Sequence, residues 1–81
     1  MLTKTRSNRR TRREEPVSRT VVQTVAERND ASVTELPPLY DSVDPDALNA
    51  LVRRGGDDLR ITFRFAGRQI VVDGDGTVTV D

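Results

Sequence analysis

The sequence predicts an α+β domain with two helices packed on one face of a three-stranded antiparallel meander, in the order α-α-β-β-β. Two observations carry this. Apolar residues recur at helical spacing before Gly55-Gly56, and from Leu59 onward they fall at every second position. Glycines then interrupt the alternation at Gly67, Gly74 and Gly76, where hairpin turns reverse the chain.

Residues 1–15 hold no apolar residue beyond Met1 and Leu2 and carry a dense run of charge. Such a stretch buries too little surface to offset the entropy of ordering, so a disordered basic tail is expected over 1–15 and the domain over 16–81. Val17–Asn29 places Val17, Val21, Val22, Val25 and Ala26 on one helical face, with Ser18 as the expected N-cap and Val17 against Val22 as a staple. Pro37 and Pro38 force an extended loop, which Leu36, Leu39 and Val43 fasten to the core. The second helix starts at Asp44 as N-cap with Pro45 in its first position. Leu48, Leu51 and Val52 form its apolar stripe, and Gly55-Gly56 ends it.

Leu59, Ile61, Phe63 and Phe65 alternate with polar partners, as a half-buried strand requires. A two-residue turn at Ala66-Gly67 sets Phe63 opposite Ile70 and Ile61 opposite Val72. A three-residue loop, Gly74-Asp75-Gly76, sets Val72 opposite Val78 and Ile70 opposite Val80, with Gly76 at the position that wants a positive φ. The same register brings Arg60 opposite Asp73.

Composition excludes much chemistry. The chain has no cysteine and no histidine, and Lys4 is its only lysine. Thiolate chemistry, the commonest general base and metal ligand, and a Schiff-base amine within the domain are thereby removed. No catalytic, cofactor-binding or metal-binding residue is assigned, and an enzyme is not expected. Asp44 reads as a cap rather than one of a catalytic pair with Asp46. Asp73-Gly74-Asp75-Gly76 reads as a turn rather than a calcium loop, because Thr77 stands where a third ligand is required. No apolar run approaches the roughly 20 residues that span a bilayer, and a soluble, cytoplasmic protein is expected.

The net charge of zero conceals two opposed blocks. Residues 1–13 carry six basic groups and no acid, whereas residues 14–81 carry seven arginines against thirteen carboxylates, nine of them aspartate. A folded part without lysine and rich in aspartate suits a protein kept hydrated in concentrated salt.

The string TELPPLYDSVDPDALNALV, followed by ITFRFAGRQIVVDGDGTVTV, resembles the halobacterial output domain, type one. The resemblance covers roughly Val17 to Val80. It rests on Leu36, Pro37, Pro38, Leu39 and Tyr40, on Asp44, Pro45, Ala47 and Leu48, and on Phe63, Gly67, Asp73, Gly76 and Val78. It implies an output module of haloarchaeal signal transduction and carries over no assigned catalytic or binding residues.

Candidate binding residues follow from charge. Arg60, Arg64, Arg68 and Gln69 gather on or beside the open sheet face, the one concentration of positive charge on an acidic domain. With Tyr40 they form the candidate interaction face, although the preferred reading of Tyr40 is a loop tie through its hydroxyl. The expected partner is another protein, met by the sheet face or by the edge of a terminal strand, and the expected state is a monomer or weak dimer. The alternative is a nucleic-acid-associated regulator whose tail residues Arg6, Arg9, Arg10, Arg12 and Arg13 contact phosphates. No aromatic interleaves those arginines to stack on bases.

Overall fold

The computed structural model describes residues 7–12, 14–56 and 58–81. Strand β1 spans Ser7–Arg10, helix α1 Val17–Arg28, helix α2 Pro45–Arg54, and strands β2, β3 and β4 span Arg60–Phe65, Arg68–Asp73 and Thr77–Val80. Two single-turn 3-10 helices, Val33–Glu35 and Leu39–Asp41, shape the loop between α1 and α2.

The fold is α+β, with a correction. The sheet has four antiparallel strands in the order β1-β4-β3-β2, not three. The added strand, Ser7–Arg10, comes from the stretch expected to be a disordered tail. It has no apolar pattern; it forms because the outer edge of β4 offers a ladder, with Arg9 opposite Val78 and Arg10 opposite Thr77. The Thr11 N–H extends that ladder to the Gly76 carbonyl at 2.8 Å. Among the other basic residues of the tail, Lys4, Arg6 and Arg13 lie outside the described residues.

Both hairpin registers are as the alternation implies. Phe63 faces Ile70, Ile61 faces Val72, Val72 faces Val78 and Ile70 faces Val80. Ala66 and Gly67 have φ of 54° and 79°, the left-handed pair of a type I′ turn. Gly76, at φ 90°, closes the three-residue loop.

Ten buried residues form the core: Val17, Val21 and Val25 of α1, Leu39, Leu48 of α2, and Phe65, Ile70, Val72, Val78 and Val80 of the sheet. Leu36 and Val43 pack against it as expected of loop fasteners. Thr20 and Thr24 are buried too, and the Thr24 hydroxyl is satisfied within α1 by the Thr20 carbonyl at 2.7 Å. Leu51 departs from expectation. It is 51% exposed, because α2 turns Leu48 rather than Leu51 into the core.

Helix ends follow local chemistry. Asp44 caps α2 through Oδ1, which accepts from the Asp46 N–H at 3.0 Å. The start of α1 is Pro16, not Ser18, and Pro16 offers no side-chain cap. Its C-terminus is a Schellman closure: Ala31 N–H donates to the Ala26 carbonyl at 2.9 Å and Asp30, at φ 54°, takes the left-handed position.

Candidate functional site

Strand alternation sorts the sheet into two faces. Ile61, Phe63, Phe65, Ile70, Val72, Val78 and Val80 point to the helices. The opposite face shows Arg60, Thr62 and Arg64 from β2, Gln69, Val71 and Asp73 from β3, Thr77 and Thr79 from β4, and Asn8 and Arg10 from β1. One transverse row runs Asn8, Thr79, Val71, Thr62 through directly opposed residues. The centre of this open face is therefore small, neutral and largely β-branched. Arginines stand around it: Arg10 opposite Thr77, Arg60 opposite Asp73, and Arg64 opposite Gln69.

These arginines are exposed. Arg60 Nε donates to Asp73 Oδ1 at 2.9 Å while its side chain stays 70% exposed, so the pair orients the guanidinium without hiding it. Arg64 Nη2 makes only a long 3.4 Å bond to the Gly67 carbonyl. Gln69 is exposed beside it. Arg60, Arg64 and Gln69 thus share the open face.

Arg68 does not join them. It lies two residues before Ile70 and so on the helix side, where its Nε donates to Asn29 Oδ1 at 2.6 Å and fastens β3 to the end of α1. Tyr40 is also apart. It is 70% exposed, so it does not serve as the loop tie, and it borders a shallow depression with Asp44, Pro45 and Asp46 at the start of α2. The tail arginines are divided in the same way. Arg9 is bonded by Glu27 of α1 on the covered side, Arg10 is on the open face, and Arg12 borders a cleft.

That cleft, of about 440 Å³, lies between the start of α1, the second half of α2 and the β3–β4 turn. Arg12 and Arg53 line it together with Glu14, Glu15 and Asp75, so its charges oppose one another and favour no anion. Asp75 is held in its turn by the Thr77 N–H, which donates to Oδ1 at 2.9 Å. This bond, the Thr77 hydroxyl and then the nearby Arg10 hold the carboxyl below its ordinary value, against slight desolvation. Among the described residues no group of three or more carboxylates is placed to hold a metal ion, and no helix is long and apolar enough to cross a membrane.

Three residues take places that the sequence alone does not indicate. Asn8 and Arg10 enter the open face only through the unforeseen strand. Asn49, exposed by neither motif nor period, reaches from α2 to the start of α1, where its Oδ1 accepts the Ser18 N–H at 2.9 Å.

Fold and surface together define a small α+β module whose sheet carries an open polar face. The chain belongs to the Halobacterial output domain 1 family, whose family model matches residues 13–81. Strand β1 precedes the matched span. No curated protein and no solved structure gives a significant match. The family's name describes an output domain.

Proposed function

We propose that this chain is a non-enzymatic output module of signal transduction, working in the cytoplasm, that recognises another protein through the open face of its sheet. The observation that supports it most is the composition of that face. A neutral centre of Val71, Thr62, Thr77 and Thr79 is ringed by exposed Arg10, Arg60 and Arg64, on a chain whose residues 14–81 carry six more acids than bases. A partner of complementary charge is attracted and oriented there, while the flat β-branched centre supplies contact area that salt does not weaken.

A phosphate-contacting tail is less well supported. Arg9 is engaged by Glu27, and Arg10 and Arg12 belong to different surfaces. The face carries no aromatic on which bases could stack.

The test uses full-length protein immobilised in molar KCl and challenged with extract of the source cells. The Arg60→Glu/Arg64→Glu pair is compared with Arg53→Glu/Arg54→Glu on α2. Loss of the same bound protein from the first variant alone supports the open face. Loss from the second alone, or from neither, overturns it.

A further inference from the structure

We propose that the outer edge of β2 accepts an acidic extended segment of a partner protein as a fifth strand, with two carboxylates four residues apart set against Arg60 and Arg64. This deepens the reading of the open face as a recognition surface and rests on it.

Hydrogen-bond parity gives the geometry. Asp81 N–H donates to the Gln69 carbonyl at 3.0 Å, so Gln69, and with it Val71 and Asp73, turn their backbone groups toward β4. Arg68, Ile70 and Val72 must then bond β2, through their partners Phe65, Phe63 and Ile61. The N–H and C=O groups of Arg60, Thr62 and Arg64 consequently point outward. Among the described residues β2 is the terminal strand of the sheet, and Arg60, Thr62 and Arg64 are all exposed. An unpaired edge of this kind is a template for strand addition.

Charge selects the occupant. Arg60, Thr62 and Arg64 are also the β2 residues whose side chains reach the open face. An antiparallel strand bonded to them places its own residues i+4, i+2 and i directly opposite Arg60, Thr62 and Arg64, with the N–H of the middle residue turned toward Thr62. Carboxylates at i and i+4 meet Arg60 and Arg64, and the middle residue meets Thr62. A second copy of β2 fits poorly, because the symmetrical register centred on Thr62 sets Arg60 against Arg64 of the other copy, and like charges directly opposed are destabilising. The two arginines thus repel the chain's own edge and admit an acidic one.

The probe is a synthetic peptide, acetyl-Thr-Asp-Thr-Val-Thr-Asp-Thr-amide, titrated into isotopically labelled full-length protein and followed by amide shifts and hydrogen exchange. Three controls accompany it: both Asp replaced by Lys, one Asp moved by a residue so that the carboxylates leave the common face, and the central Val N-methylated. The expected result is slowed exchange at the Thr62 and Arg64 amides. Moving the carboxylate should weaken binding roughly 1.4- to 5-fold, the span given by the one cross-strand ion pair it breaks. Arg64→Glu should weaken it likewise, and the lysine and N-methyl peptides should not bind. Absence of binding by every peptide, or equal binding by the N-methyl peptide, overturns the proposal. Shifts confined to Val71 and Thr79, without protection of Thr62 and Arg64, also overturn strand addition but leave recognition by the open face standing. Self-association through β2 overturns the choice of occupant.

Discussion

The backbone N–H of Ser18, in the first turn of α1, donates to the side-chain Oδ1 of Asn49 on α2 at 2.9 Å. The first N–H groups of a helix have no partner within it, and Pro16 supplies no cap of its own. One helix therefore caps the other, and the cap fixes how α2 sits on α1. Asn49→Ala should cost about 1 kcal/mol, the usual loss for a helix cap. Asn49→Asp keeps the acceptor and places negative charge at the positive helix end, so its stability should stay near that of the parent. Chemical denaturation of the three proteins checks the order.

Strand β1 makes a second expectation. Val78 and Val80 are fully buried in a sheet that has β1 on its outer side. Deleting residues 1–10 should lower the melting temperature by at least about 4 °C, the shift that goes with 1 kcal/mol in a domain of this size. Arg9→Ala alone breaks only a half-exposed ion pair with Glu27 and should cost under about 1 kcal/mol. An unchanged melting temperature on deletion would show that β1 contributes nothing to stability.

Gly74 is required by space. A methyl group there would be driven into the Gly56 carbonyl and against Leu59, where Leu59 is strapped to the β3–β4 turn. The strap is the Gly74 N–H donating to the Leu59 carbonyl at 2.8 Å. Gly74→Ala should cost about 1–3 kcal/mol by overpacking and should shift the Leu59 amide resonance. Gly67 differs: nothing lies within reach of an added methyl, and only its φ of 79° resists one. Gly67→Ala should cost about 1–2 kcal/mol through backbone strain and leave Leu59 undisturbed.

Asp75 sets an acid dependence. Its folded carboxyl titrates below the ordinary value of 3.8, chiefly because of the Thr77 N–H. A depressed folded value means the contribution to stability is complete above the unfolded value and is lost as pH falls through the folded one. Stability should decline below about pH 4, and Asp75→Asn, which keeps an oxygen for the Thr77 N–H but cannot ionise, should flatten that decline. Denaturation midpoints measured between neutral and acid pH decide it.

Much of the sheet was legible because two independent signals agree there. The period of two in Ile61, Phe63 and Phe65 and the placing of Gly67 and Gly76 each demand the same register. β1 was not legible, since Ser7–Arg10 carries no apolar pattern and becomes a strand only by meeting the edge of β4. The burial of Leu48 and exposure of Leu51 depend on how α2 seats on α1, which a helical stripe alone does not fix. Of the candidate face, Arg60, Arg64 and Gln69 followed from alternation. The separation of Arg68 was within reach, because counting back two from Ile70 already puts it on the helix side.

The most direct measurement places a photo-crosslinking side chain at Val71, at the centre of the open face, and in a second protein at Ala47, exposed on α2. Both are irradiated in the living source cells. Recognition through the sheet predicts a discrete protein adduct from position 71, none from position 47, and loss of the adduct with Arg64→Glu. An adduct from position 47 alone, or a nucleic-acid adduct from position 71, would contradict it.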